Sequence, residues 1–307
     1  MTRTISLLGA RVETGTDRPG CALGPDALRC AGLGRALSRQ GWTVRDLGDL
    51  GIPGVRPRPH ANPAVHHLGH IVAWTAALAD AAQAAARAHD LPIFLGGDHS
   101  ISAGTVTGMA RHAAEQGRPL FLLWLDAHPD LHDPGSTHSG NLHGTPLAYA
   151  LGEAGFADFP PLAHAVDPAN VLLMGLRSVD GAEARRIQSL GIDSRDMRRL
   201  EEKGVLPPLT RFLSRVRAAN GLLHVSLDVD VLDPAIAPAV GTPVPGGVSG
   251  PEVHLIMEVL QRSGLVSALD LVELNPLLDV QGRTARLMVD LAASLAGARA
   301  PARLSAE

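Results

Sequence analysis

The stretch Leu120-Phe121-Leu122-Leu123-Trp124-Leu125-Asp126-Ala127-His128-Pro129-Asp130 stays apolar up to Leu125 and then turns polar at every second position. A strand that is apolar on both faces belongs in a sheet covered on both sides. Groups at i, i+2 and i+4 of an extended chain share one face, so Asp126, His128 and Asp130 aim at a common point. Two further places repeat the pattern. Pro92–Leu95 runs into Gly96-Gly97-Asp98-His99-Ser100, and Leu222–Val225 runs into Ser226-Leu227-Asp228-Val229-Asp230, followed by Leu232-Asp233-Pro234. Other short apolar runs, at Ile5–Leu8, Thr43–Leu47, Val171–Gly175 and Ser267–Val272, complete the strand candidates. Helical patterns alternate with them at Pro25–Arg39, Pro63–His89, Ser102–Gln116, Thr145–Leu151, Ala182–Leu190, Pro207–Ala219, Pro251–Arg262 and Thr284–Leu295. Such alternation predicts an α/β fold of βαβ units on a mainly parallel sheet, with functional residues gathered at the strand ends.

The 307 residues are 45% apolar and 19% charged, the balance of a well-cored globular protein. Aromatics supply only 3%, so Leu, Val, Ile and Ala must fill the core. No linker or composition shift divides the chain, and the proline-rich piece Pro53–Pro63 is short enough to be a loop, so residues 1–307 are expected to form a single domain. A net charge of −4 without any Lys/Arg run excludes a nucleic-acid partner. Cys21 and Cys30 make no disulfide framework, which points to a reducing, cytoplasmic setting. The apolar run near the amino terminus is too short for a signal and reads as a strand. Ala64–Ala88 contains His66, His67, His70, Asp80, Gln83 and Arg87, so it reads as an Ala-rich helix and no membrane partner is expected. The three histidines are expected on its solvated face.

Carboxylates crowded at buried strand ends need a compensating charge. Four aspartates and two histidines, without a thiolate, form a hard-oxygen set that favours Mn²⁺ over Zn²⁺. Two divalent ions about 3.5–4 Å apart would share a bridging hydroxide.

These stretches, with Ser139-Gly140-Asn141-Leu142-His143-Gly144, Gly241-Thr242-Pro243 and Glu273-Leu274-Asn275-Pro276, resemble the ureohydrolases, the family of arginase and agmatinase, and among them the arginases most closely. The matching pieces come in family order along nearly the whole chain. The resemblance implies a three-layer α/β/α fold holding two Mn²⁺ per subunit. His99, Asp126, Asp130 and Asp228 would hold one ion, and His128, Asp126, Asp228 and Asp230 the other. It also implies hydrolysis of the guanidino group of L-arginine to urea and L-ornithine, with Asp130 taking up a proton, His143 passing one on, and Glu273 gripping the guanidinium beside Thr242. Thr137, Ser139 and Asn141 would meet the substrate α-carboxylate, and Asp180 the α-ammonium. His132 stands where an asparagine contacting the carboxylate is expected. Asp180 also reads as an N-cap for the helix after it, and Asp98 as a partner that orients a ligand.

Other guanidino compounds, such as agmatine or guanidinobutyrate, remain open as substrates, and a non-catalytic metal-binding paralogue is a distant alternative. A dinuclear phosphoesterase is disfavoured, because no G-N-H-[DE] segment is present. The resemblance further implies a homotrimer or homohexamer, with Glu252 at a position that makes salt bridges between subunits.

Overall fold

The computed structural model describes residues 3–52 and 54–297. Among the described residues there are eight strands: β1 (Thr4–Ala10), β2 (Thr43–Asp49), β3 (Leu91–Gly96), β4 (Leu120–Leu125), β5 (Val171–Leu176), β6 (Asp193–Asp196), β7 (Leu222–Asp228) and β8 (Val266–Val272). They form one sheet in the order β2-β1-β3-β8-β7-β4-β5-β6, and every pairing is parallel. Ten α-helices among the described residues surround it: α1 (Gly24–Cys30), α2 (Leu33–Ser38), α3 (Leu68–Ala88), α4 (Ile101–Glu115), α5 (Pro146–Ala150), α6 (Gly181–Leu190), α7 (Met197–Lys203), α8 (Leu206–Ala218), α9 (Gly250–Ser263) and α10 (Arg283–Leu295).

Side chains alternate across a strand, and β4 divides accordingly. Phe121, Leu123 and Leu125 pack into a core with residues of α1, α2 and α7 to α10. Leu120, Leu122 and Trp124 pack into a second core with α3, α4 and α5. The result is the expected three-layer arrangement, with β3, β4, β5 and β7 buried along their whole length.

Several expectations need correction. Pro25–Arg39 is two helices, because Gly32 takes φ 93° between α1 and α2, a conformation that a side chain disfavours. The pattern read as helix from Pro63 becomes helical only at Leu68, which leaves His66 in the preceding loop and His67 as N-cap at φ 55°. β6 and α7 escape the hydrophobic pattern altogether. Asp193-Ser194-Arg195-Asp196 is a polar edge strand that pairs with β5 alone. Of the expected loop Pro53–Pro63, Pro53 lies outside the described residues.

Candidate metal centre and its cavity

Four neighbouring strands, in the order β3-β8-β7-β4, deliver the polar residues from their carboxyl ends. His99 follows β3, Glu273 follows β8, Asp228 ends β7, and Asp126, His128 and Asp130 follow β4. Parallel strands all point their carboxyl ends one way, so residues far apart in sequence converge.

The convergence is tight. His99 Nδ1 lies 3.0 Å from Asp126 Oδ2, 3.0 Å from Asp130 Oδ2 and 3.0 Å from Asp228 Oδ2. His128 Nδ1 lies 2.8 Å from Asp230 Oδ2 and 3.5 Å from Asp126 Oδ1. Asp126 therefore faces both histidines. Asp228 reaches His99, while its Oδ1 accepts the Asp230 backbone N–H at 2.7 Å. The His99 ring is fixed from behind: Nε2 lies 2.8 Å from Ser226 Oγ, and the Trp124 ring stacks on it at 4.4 Å between centroids. Trp124 also donates its indole N–H to Asp126 Oδ2 at 3.1 Å.

The protonation pattern shows what such crowding costs. Burial would lower the His99 pKa, yet Asp130 and the other carboxylates hold it well above the usual range. Burial also opposes the charge on His128, but Asp126 and Asp230 push it up to about 12. Burial and the Asp126 charge raise Asp130 to about 7, and burial with Asp230 and Asp126 raises Asp228 as well. Asp230 is raised by burial and Asp126. Burial acts upward on Asp126 too, but His128 and His99 outweigh it and its pKa falls. The side-chain atoms His99 Nδ1 and Asp130 Oδ2 are buried without an aligned hydrogen-bond partner. Buried carboxylates and imidazoles that must share protons, with ligand atoms left unpartnered, are the surroundings that a multivalent cation satisfies. The residues fit a metal centre.

Beside it, His143 Nδ1 meets Glu273 Oε1 at 2.8 Å, and the same oxygen accepts the His99 backbone N–H at 2.7 Å. Burial would lower His143, yet Glu273 raises it to about 9, while His143 in turn holds Glu273 below its ordinary value against the push of burial. Glu273 and Asp130 both sit at positive φ, 64° and 53°. For side chains of this kind that is a strained backbone, of the sort that concentrates at functional sites.

A cavity opens over the centre. Thr137, Ser139, Asn141, His132, Asp180 and Thr242 line it along with the metal-centre residues and His143. Glu273 is not on its wall and reaches it through His143. Thr242 Oγ1 lies 3.3 Å from Asp230 Oδ2. Asp180 does cap α6, accepting the Ala182 and Glu183 N–H groups, while its other oxygen lies 3.0 Å from His132 Nε2. His132 thus turns toward a carboxylate, with Ser136 Oγ at 3.2 Å from its Nδ1. Asp98 is wholly buried, but it bonds the Gly15 N–H at 2.7 Å and Ser100 rather than the His99 ring. It ties a loop to the strand end. Ser178 and Glu183 line the cavity without having been singled out from sequence. The spacing Asp180-x-x-Glu183 is a capping box and offered the only signal for Glu183. Ser178 has none.

A strand-end cluster of this geometry, in an all-parallel α/β/α fold, defines a class of metal-dependent hydrolases. The model of the arginase family matches residues 3–297. The chain is similar to the arginase of Agrobacterium fabrum, 58% identical over 97% of this chain and 92% of that one, and to the arginase of Brucella melitensis, 55% identical over 95% of each. Its fold is similar to the crystal structure of arginase from Bacillus subtilis, at a TM-score of 0.87 and 36% identity, covering 97% of this chain and 99% of that one. The chain belongs to the arginase family, the hydrolases that cleave a guanidino C–N bond.

Proposed function

We propose that this chain hydrolyses L-arginine to urea and L-ornithine, with two Mn²⁺ held by His99, Asp126, Asp130 and Asp228 on one side and by His128, Asp126, Asp228 and Asp230 on the other. The observation that carries the reading is three carboxylates at 3.0 Å from one imidazole nitrogen, beside a second carboxylate–imidazole pair that shares Asp126. The absence of thiolate from the donor set favours manganese over zinc. When bound, such ions supply a water-derived nucleophile near neutral pH.

The protein's own groups would do the rest. Glu273 provides the negative charge toward which a guanidinium is drawn, and Thr242 closes the same end. Asp130, buried with Oδ2 at 3.0 Å from His99 Nδ1, would take up the proton released from the nucleophile. His143, raised to about 9 against burial by Glu273, carries a proton at neutral pH and can pass it to the leaving amine. Thr137, Ser139 and Asn141, which line the same cavity, would be the contacts for the α-carboxylate, and Asp180 the contact for the α-ammonium.

One observation favours a second reading, a substrate without an α-ammonium such as a guanidino acid. His132 Nε2 lies 3.0 Å from Asp180 Oδ2 and so occupies the carboxylate oxygen that an ammonium would use. Urea release from arginine, agmatine and guanidinobutyrate, after stripping the protein and adding back Mn²⁺ or Zn²⁺, separates the readings. Arginine with Mn²⁺ is expected to be fastest. Equal rates on agmatine would overturn the α-amino-acid reading, and guanidinobutyrate as the best substrate would establish the second one.

We further propose one domain over residues 1–307, a homotrimer or homohexamer, and a cytoplasmic site of action. The two cysteines are free, and no helix among the described residues is long and apolar enough to cross a membrane. Glu252 is engaged within its own chain, where it caps Ser249 at the start of α9, with Oε2 at 3.0 Å from the Ser249 backbone N. Light scattering giving a monomeric mass at micromolar concentration would refute the oligomer.

A further inference from the structure

Residues 134–141 carry Thr137, Ser139 and Asn141 into the cavity wall but form neither helix nor strand. Their place is therefore set by bonds to other parts of the chain. On one side, the Asp133 carbonyl accepts the Ser136 and Thr137 N–H groups at 3.0 and 3.1 Å, and the Asp133 carboxylate meets Arg186 of α6 at 2.9 Å. On the other side, the Asn62 side-chain amide donates to the carbonyl oxygens of Pro134 at 3.0 Å and Thr137 at 2.9 Å. Gly140, at φ 78°, seats against the same segment, so close that a Cβ there would stand 1.7 Å from the Ala64 carbonyl oxygen.

The Asn62 amide can stand only one way. A backbone carbonyl only accepts, and a backbone N–H only donates. Nδ2 faces two carbonyls while Oδ1 accepts the Ala64 N–H at 3.1 Å, so turning the amide over would break all three bonds. The bond at Oδ1 closes an Asx turn. A second bond, from the Val65 N–H to the Asn62 carbonyl at 3.2 Å, locks it. Pro63 lies between, with a fixed φ and no N–H to satisfy. The turn is thus complete within residues 62–65 and holds out its –NH2 ready-made.

The loop passes that position on. Thr137, held by Asn62 through its carbonyl, accepts the Gly140 N–H at Oγ1 at 3.2 Å, and Ser139 Oγ accepts the Asn141 N–H at 3.2 Å. Thr137 to Asn141 is therefore a hook bonded to itself, and the two donations from Asn62 fix where the hook stands. Glu273 and Thr242, at the guanidinium end, belong to other segments of the chain.

We infer that Asn62, which is not on the cavity wall, is a positioning residue that holds Thr137, Ser139 and Asn141 in place, and so makes the site favour guanidino substrates bearing a carboxylate at the far end. The inference rests on the reading of those three residues as the carboxylate contacts.

Asn62→Asp keeps the Asx turn but sets an acceptor against both carbonyls. Asn62→Ala removes the donations without that repulsion, and decides the matter should the aspartate variant fail to fold. Kinetics with arginine, guanidinobutyrate and agmatine would be measured for both and for Asn141→Ala, all loaded with Mn²⁺. Amide exchange over residues 134–141 would be followed by mass spectrometry. Two hydrogen bonds of ordinary strength correspond to about a tenfold effect. Each Asn62 variant should raise KM about tenfold for arginine and guanidinobutyrate with kcat nearly held, and leave KM for agmatine, which has no carboxylate, within about twofold. Exchange over 134–141 should quicken while the manganese content stays that of the parent. If Asn141→Ala raises KM for arginine but neither Asn62 variant does, the inference is overturned while the carboxylate reading stands. If Asn141→Ala leaves KM for arginine unchanged, the carboxylate reading fails and takes the inference with it. Equal losses on all three substrates, or a fall in kcat with manganese lost, would make Asn62 a prop for the fold and also overturn it.

Discussion

Replacing Asp126 by Asn keeps the size of the side chain and removes one negative charge from between His99 and His128. Both ions should then bind more weakly, whereas His128→Asn should weaken mainly the one that Asp230 shares. Elemental analysis after dialysis against a weak chelator would distinguish the two. Full occupancy of two metals in Asp126→Asn would remove Asp126 as a shared ligand. At this scale the sequence was informative wherever an apolar strand broke into charge. Asp126, His128 and Asp130 announce themselves by spacing alone, and so do Asp228 and Asp230. Residues that act through partners brought by other loops leave no such mark. His66 meets Asn141 across 75 positions of chain, and no periodicity within its own segment hints at that contact. His132 likewise gives no sign that its ring turns to Asp180.

The loop pair around residues 62–66 and 134–141 behaves as one element. Gly140→Ala tests it directly, since the new methyl group would meet the Ala64 carbonyl at a φ that alanine disfavours. A destabilisation of about 1–3 kcal/mol is expected from such a strained residue, together with a raised KM for arginine. Thermal unfolding and kinetics would check both, and an unchanged midpoint with unchanged KM would show that the loops are not coupled. The inner strands were legible because a long apolar run has few alternatives inside a covered sheet. The edge was not. β6 has no apolar run, and α1 and α2 look like one helix until Gly32 reverses the backbone between them. α3 was placed too early because Pro63 reads as a helix start, whereas His67 at φ 55° turns the chain into the helix only at Leu68.

Over the whole molecule, metal and protons compete for the same buried groups. In the stripped protein, Asp130 is raised to about 7, Asp228 and Asp230 are raised, and His99 and His128 are raised above ordinary histidine. Each holds a proton in the folded state that it gives up earlier when unfolded. Their stabilising contribution is therefore full below the unfolded pKa and lost as pH rises through the folded one. Asp126 is lowered and has the opposite sign, but its window lies in acid, below the ordinary carboxylate range. The stripped protein should accordingly lose stability as pH rises from the ordinary carboxylate range through about 7 for Asp130, and from the ordinary histidine range on toward about 12 for His128, while metal binding, which displaces those protons, strengthens. The Tm gap between loaded and stripped protein should widen across that range by several degrees, on the order of what about 1–2 kcal/mol gives in a chain this size. A gap that stays constant in calorimetry would mean that protons and metal do not share these groups.

The sheet order also fixes when the centre can exist at all. β3 and β8 are neighbours, and so are β7 and β4, although about 170 residues of chain separate the first pair and about 100 the second. Contacts so distant in sequence form late and slowly. A chain leaving the ribosome exposes His99 and the Asp126–Asp130 group long before Asp228 and Asp230 are made, so no complete cation nest is on offer during most of synthesis. Metal capture then becomes the final event of maturation rather than its nucleus. In refolding experiments, manganese uptake followed by stopped flow should track the slowest structural phase. Uptake running ahead of it would mean that the early half of the chain gathers the ion unaided.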